Sequence, residues 1–572
     1  MNVNATPRSA SLFDPQRLAA LDGAEVHVLI LGAGVNGAGL FRDLCEQGLT
    51  CVLLDKGDFG SGTSAAPSRL IHGGLKYLET GEFGLVAQST LERNLLLRNA
   101  PHCVEPLPTI IPAFSWTKGI GAALRTLLGS TTAPRSRGAV LVKIGLALYD
   151  FYGARHRVMP RHTLSGRAKS LRDMPMLTPA IKATGLYYDA KIARPERLVL
   201  ELVEDGLRVS PRSAAANGAE LIGAEDSGVA FRAPDGRRLS VRPLITVNAA
   251  GPWIDHVNAA LGAPSKLIGG TKGSHILLDH PELLRQLAGR MIYFEADDGR
   301  ICLVFDYLGR ALVGSTDIKA ANPDEVRCEA EEIDYFLDSL RSLLPGLSFD
   351  RGQIVYTYSG IRPLPASDAS NPGLISRDHS APVIEPAEGR GFPIISLVGG
   401  KWTTFRGFAE EVADTILGRL DRSRRVSTQH LPIGGGRDFP ADAKARDAFI
   451  ARAAGETGLA PARIDQLLSR YGTTALAIAA HRGRWSDSDR LLGADSYSLS
   501  ELDYLLRHEG VLHLTDLVLR RTTLAVRGEV TGDLLARLAD VAAEVLGWSE
   551  ERKIAECEQT RQVLTTLHGV TF

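Results

Sequence analysis

Gly32-Ala33-Gly34-Val35-Asn36-Gly37 places three glycines at the G-x-G-x-x-G spacing, and Asp55 follows 23 residues after the first of them. Each member has a physical task in binding a dinucleotide. Gly32 makes a tight turn, Gly34 leaves the backbone open to a pyrophosphate, and Gly37 lets a helix lie close to a strand. The helix that begins here turns unpaired N–H groups and a positive dipole toward the phosphates. Asp55 suits the hydroxyls of an adenosine ribose. Two more groups of residues carry chemistry. Arg362, Lys401, Lys272, Arg377 and Lys76 are cations set among glycines or next to a proline, the kind of fixed charge that holds a dianionic phosphate. Pro363 restricts Arg362 to an extended backbone. His275, in Gly273-Ser274-His275, and His72, before Gly73-Gly74, are the two candidates for a base that takes a hydroxyl proton near neutral pH.

These residues need a frame. Val26 to Leu31 reads as a buried parallel strand, with a helix to about Gln47, Gly48 as its stop, and a second strand over Cys51 to Leu54. A glycine- and hydroxyl-rich stretch follows, Lys56 to Ser64 and Ser68 to Leu78. Such a loop can wrap a pyrophosphate and lead on to an isoalloxazine ring. The pattern is helical from about Gly84 to Asn99, and apolar strands recur at Arg242 to Ala250, Arg300 to Gly314 and Gly391 to Val398. Val247 to Trp253 and Leu397 to Thr404 both end strands in small residues and read as returns to the same cofactor. Residues 421–442, rich in Gly, Pro and charge, read as a linker. The remainder is helical in pattern; Pro461 opens one segment, and Ser498-Leu499-Ser500-Glu501 has capping-box spacing.

Composition narrows the class. The chain has 572 residues, 44% hydrophobic and 23% charged, enough for a large folded core. Sixty-five basic and 66 acidic side chains leave a formal charge of -1, which excludes a nucleic-acid binder acting through bulk charge. The six cysteines form no C-x-x-C pair, so neither a disulfide framework nor a metal is expected. There is no signal-like N-terminal pattern and no uninterrupted apolar run of membrane-spanning length, which points to a cytoplasmic body. Between Trp116 and Lys143, five cations and no acid form a basic block, suited to a peripheral contact with anionic lipid on the inner face of the cell membrane.

The motifs taken together resemble a known family, the FAD-dependent glycerol-3-phosphate dehydrogenases of the D-amino-acid oxidase-like flavoprotein group. The resemblance rests on GAGVNGAG (32–39), DFGSGTS (58–64), SRLIHGGLKYLE (68–79), NAAGPW (248–253), KGSHI (272–276), GSTD (314–317), YSGIRPL (358–364), SRDH (376–379) and GGKWTT (399–404), in the family's order. The tail, with LVLRRT at 517–522, resembles the family's C-terminal domain. It implies an α/β fold: a Rossmann-like FAD-binding domain (25–104, 191–264 and 351–420) after an N-terminal tail (1–24), an interleaved α+β substrate cap (105–190 and 265–350), and a C-terminal all-α domain (443–572). It implies oxidation of sn-glycerol 3-phosphate to dihydroxyacetone phosphate by hydride transfer to flavin N5, with a membrane quinone as acceptor. By the same resemblance, Gly32, Gly34, Gly37, Asp55, Lys56, Thr63, Ser64, Ser68, Leu70, Ala249, Gly251, Gly400, Lys401, Trp402 and Thr403 would hold FAD. Arg362, Lys401, Lys76, Tyr77, Lys272 and Arg377 would hold substrate, with Arg362 also at the reacting centre beside His275 and His72. Lys401 is open to either partner, and a homodimer is compatible. One departure stands out: the family's HGGLR-Y pattern has Arg where this chain has Lys76, which loses the planar fork. A dehydrogenase for a longer polyol phosphate such as erythritol phosphate, and an oxidase passing electrons to O2, are the alternatives. A nicotinamide enzyme would be colourless, and a protein that kept FAD without turnover would not need Arg362 and Lys401.

Overall fold

The computed structural model describes residues 11–572 apart from 79–80, 118–137, 155–156, 226–227, 297, 321, 367–378 and 492–496. Two sheets organise them. The first runs in the order Val383–Ile384, Ile394–Ser396, Arg238–Asn248, Glu25–Leu31, Cys51–Leu54, Ala214–Ala216, and all but its outermost pair are parallel. Its central strand is apolar on both sides because both sides are covered. Val28 and Ile30 pack on one face against the helices Val35–Glu46, Pro195–Val209 and Phe405–Arg419. Leu29 and Leu31 point the other way, toward Phe231 and Val241 of an antiparallel meander.

The second sheet has ten strands and a different physics. Its side chains alternate between two cores. In Ile301–Tyr307, Cys302 and Val304 meet Phe336, Leu337 and Leu340 of the helix Ala330–Leu343. Leu303, Phe305 and Tyr307 instead enter a core shared with the C-terminal helices, which lie on that face of the sheet. The apolar run at 300–314 is a hairpin, turning through Leu308 and Gly309 with positive φ of 55° and 81°. Strands Leu70–Ile71 and Ile354–Arg362 hydrogen-bond into this second sheet, although their sequence neighbourhoods were expected to go with the first. The strand carrying Arg362 pairs with Thr271–Leu278 over its whole length, so the cap and the cofactor-binding half meet inside single strands.

The expected linker is a packed strap. Gln47 accepts from the backbone of Arg425 and Val426, Ile433 donates to Asn99, and Gly434 donates to Asp205. Its glycines are required by contact: a Cβ on Gly435 would lie 2.0 Å from Tyr471 O, and one on Gly436 2.2 Å from Asn99 O. Beyond it, Ser498 caps Glu501 N–H at 3.1 Å, but the Glu501 carboxylate pairs with Arg463 and Arg470 instead of closing the capping box. Among the described residues no helix is long and apolar enough to cross a membrane.

Candidate active site

The glycine-rich turn sits where the first sheet's central strand ends. Gly32 has φ +106°, and a Cβ there would fall 2.6 Å from Ala249 O. A Cβ on Gly37 would fall 1.9 Å from Gly32 O, so the helix can approach the strand only as glycine. Gly34 differs. A Cβ there would meet only Ser64 Oγ, at 3.1 Å, so no backbone crowds this half-buried position. Val35 N–H donates to Ser64 Oγ at 2.9 Å, and Asp55 accepts from Ala33 N–H and Gly57 N–H at 2.6 and 2.9 Å. Burial pushes the Asp55 carboxyl upward against these two amides.

Three further segments, 63–64, 361–363 and 399–402, hydrogen-bond to this turn or to one another. Asn36 Nδ2 donates to Gly399 O at 3.3 Å, and its Oδ1 is buried with no hydrogen-bond partner among the described residues. Trp402 Nε1 donates to Ser64 O at 3.2 Å. Thr63 Oγ1 donates to Ile361 O at 2.5 Å, and Gly399 N–H to Pro363 O at 3.1 Å. The residue between those last two acceptors is Arg362. Its guanidinium lies over Gly273, where a Cβ would be 2.2 Å from Nη2, and donates to Ser315 Oγ, Thr316 O and Asp317 Oδ1.

A second group forms on the turn after Gly73-Gly74. Lys401 Nζ lies 3.7 Å from the centroid of the Tyr77 ring, a cation–π contact. The His72 and Tyr77 rings are 6.4 Å apart, and Thr403 Oγ1 both accepts from His72 N–H and donates to His72 O at 3.2 Å. Lys76 lies on the same short helical turn, Leu75–Leu78. The turn has support that sequence reasoning missed. Gly73 N–H donates to Tyr149 OH, which donates to Asp189 at 2.5 Å, and Arg93 pairs with Asp189 at 3.0 Å, all buried. Tyr149 and Asp189 belong to no motif; only the fold brings them to Gly73.

His275 sits elsewhere in the site. It is 1% exposed, stacks on Tyr358 at 4.7 Å, and its Nε2 is 2.8 Å from Ser68 Oγ. Burial, then the charges of Arg362 and Arg69, push its imidazole well below the usual range, so it is held neutral. Lys272 is ion-paired with Glu332 at 2.7 Å and donates to Arg327 O. Lys56 is exposed, beside Asp324 and over the Trp253 ring at 4.3 Å. Leu70 faces the core shared with the C-terminal helices, and Gly251 takes a φ of +57° where its strand turns. Gly400, at φ +89°, packs on Asn36. Arg377 lies outside the described residues.

Residues 27–415 match the family described as FAD dependent oxidoreductase, and residues 426–553 match the C-terminal domain of alpha-glycerophosphate oxidase. A glycerol-3-phosphate dehydrogenase from Synechocystis is 31% identical, over 92% of this chain and 94% of its own. The chain belongs to the FAD-dependent glycerol-3-phosphate dehydrogenases. A D-erythritol 1-phosphate dehydrogenase from Brucella abortus is 29% identical, over 86% of this chain and 93% of its own. In fold, this dehydrogenase is similar to the glycerol-3-phosphate dehydrogenase from Bacillus halodurans complexed with FAD, with a TM-score of 0.75, 19% identity, and coverage of 97% and 98%.

The cofactor is FAD, and the dehydrogenase's own geometry fits it. The uncrowded backbone of Gly34 and the helix N-terminus at Val35 suit the pyrophosphate, Asp55 the ribose, and the orphaned Asn36 Oδ1 marks an interior acceptor waiting for a donor. The Asp58 carboxylate, also missed in sequence, holds the cofactor loop to the C-terminal domain through Arg521 at 2.7 and 2.8 Å and Arg520 at 2.5 Å.

Proposed function

We propose that this protein oxidises sn-glycerol 3-phosphate to dihydroxyacetone phosphate and passes the electrons to a membrane quinone. The observation that supports the reading is that the Arg362 and Lys401 segments are joined by Gly399 N–H donating to Pro363 O, with Lys401 over the Tyr77 ring and His72 beside it. FAD, when bound, supplies a two-electron acceptor at its ring system. The chain's residues do the rest. Arg362 now donates to Ser315 Oγ, Thr316 O and Asp317 Oδ1, and would take the phosphate by exchanging some of these bonds for phosphate oxygens. Lys401, over the Tyr77 ring, would add a second positive charge. Loss of hydride from C2 requires the hydroxyl proton to leave, and His72 is the better base: it is half-buried and shares the Lys401–Tyr77 group, whereas His275 is sealed behind Ser68 and Tyr358. His275 then acts as a neutral support that keeps the Ser68 loop in place.

A polyol phosphate longer than glycerol phosphate is the second reading. Lys76 favours it, because a lysine replaces a fork by a point charge on a flexible stem and so leaves more room for a longer substrate.

Quinone delivery calls for a membrane surface, and one helix supplies a suitable face. Along Ala139–Tyr152, Val140, Ile144, Leu148 and Phe151 are 40%, 52%, 40% and 73% exposed and follow one helical stripe. Phe114 and Trp116 are exposed just before the basic block, most of which (118–137) lies outside the described residues. An apolar stripe on the helix that follows the basic block in sequence fits a peripheral seat on anionic lipid.

The test is anaerobic. The flavin band near ~450 nm should bleach rapidly on adding sn-glycerol 3-phosphate and slowly with erythritol phosphate. Bleaching by erythritol phosphate alone would move the substrate; bleaching by neither would refute the pocket assignment.

A further inference from the structure

Far from the cofactor, three potential metal ligands meet in the interior. His102 and Cys103 lie on the turn after the helix Phe83–Asn99, and Glu201 lies on the helix Pro195–Val209. They are 6%, 1% and 2% exposed. One donor atom from each falls within 4.8 Å of the others, and His102 Nε2 is 2.8 Å from Glu201 Oε2. The ion pair uses His102 Nε2, while Nδ1 is buried with no hydrogen-bond partner among the described residues. The strap roofs the group. Gly434 passes so close that a Cβ would lie 2.2 Å from Glu201 Oε2, and the Phe439 ring is 6.3 Å from the His102 ring.

We propose that Cys103, His102 and Glu201 form a buried zinc site that pins the strap to the cofactor-binding half. The ligand types suit zinc: one thiolate, one imidazole and one carboxylate, which a borderline-soft d10 ion accepts together. Charge suits it too, since thiolate and carboxylate cancel the 2+ and leave a neutral centre that can stay buried. Metal–ligand bonds of about 2.0–2.3 Å set ligand–ligand edges of roughly 3.2–3.7 Å. The His102–Glu201 edge is 2.8 Å and no donor pair is more than 4.8 Å apart, so side-chain shifts of about 1 Å would close the set on one ion. Binding displaces two protons, one from the Cys103 thiol and one held between His102 and Glu201. No zinc-type spacing marks this site in sequence, since two ligands are adjacent and the third is 98 residues on.

The test uses the full-length flavoprotein, expressed with added zinc and passed over a chelating resin. Elemental analysis should find about one zinc per chain, falling about tenfold in Cys103→Ala and in His102→Gln while flavin content is kept. Cobalt substitution should give an intense near-ultraviolet thiolate-to-cobalt absorption that Cys103→Ala abolishes. Less than about a tenth of a zinc per chain with a silent cobalt spectrum would overturn the proposal. So would zinc that persists undiminished in Cys103→Ala.

Discussion

Replacing Asp58 with asparagine tests whether the C-terminal domain holds the cofactor loop in place. Asp58 is 1% exposed at its side chain, as is Arg521, and Arg520 is 11% exposed. Its two oxygens accept from Arg520, twice from Arg521, and from Asn217 at 3.0 Å. Asparagine keeps the volume, removes the charge and replaces one acceptor by a donor. Two buried guanidiniums then lose their main counter-ion, a change worth about 3–5 kcal/mol. For a chain of this length the unfolding entropy is about 1.2 kcal/mol/K, so the melting temperature should fall by about 3–4 °C at neutral pH. The exposed pair Lys169–Asp173, at 59% and 44%, sets the comparison, and Asp173→Asn should move it by under about 1 °C. Acid provides a second check. Burial alone would raise the Asp58 pKa, but Arg521 and Arg520 override it and hold the carboxyl at about 2, below its ordinary 3.8. A depressed pKa gives stability that is full above the unfolded value and is lost as pH falls through the folded one. The gap between wild type and Asp58→Asn should therefore narrow as pH falls from 3.8 toward 2. Differential scanning fluorimetry with flavin release as a parallel readout measures both. Equal melting temperatures and equal flavin retention at neutral pH would refute the reasoning.

Gly37→Ala should reduce bound flavin at least about tenfold, read by absorbance after gel filtration, because its Cβ would lie 1.9 Å from Gly32 O. Arg362→Met should raise KM for glycerol 3-phosphate about 100-fold or more with flavin content unchanged, and Arg362→Lys should recover part of it in steady-state assays. His72→Gln should lower the rate of anaerobic flavin bleaching by about 100-fold or more, with His275→Gln costing less. The double variant Ile144→Glu and Phe151→Glu should leave anionic vesicles in a pelleting assay while retaining glycerol 3-phosphate oxidation by a soluble dye.

Much of the cofactor half was readable because its residues answer to local geometry. Gly32, Gly34 and Gly37 are spaced by a single turn, and Val26 to Leu31 is apolar on both faces for a strand covered on both. What escaped was set by contacts across long sequence gaps. The strand Ile354–Arg362 joins the second sheet through a partner about eighty residues earlier, and nothing in its own composition names that partner. Glycines 434 to 436 looked like slack, but they are glycine because Glu201, Tyr471 and Asn99 leave no room for a Cβ. Lys272 sits in a recognisable motif, yet Glu332, on a helix further along, decides where its charge goes. Along the apolar run at 139–149, only the helix geometry separates the buried Val142 and Leu146 from the exposed Ile144 and Leu148.

The ten-stranded sheet has a consequence for how this architecture can change over time. Its Leu303, Phe305, Tyr307 and Tyr356 face the C-terminal helices and would stand in water without them. A descendant cannot discard those helices by a single truncation, because an apolar sheet face, the Asp58 counter-ions and the polar sockets of the strap would be stranded together. Losing the helical layer would require many coordinated substitutions across the sheet. The catalytic half and its helical cover are therefore expected to be inherited as one unit, and a gene split between residues 420 and 443 should yield two insoluble products unless they are made together.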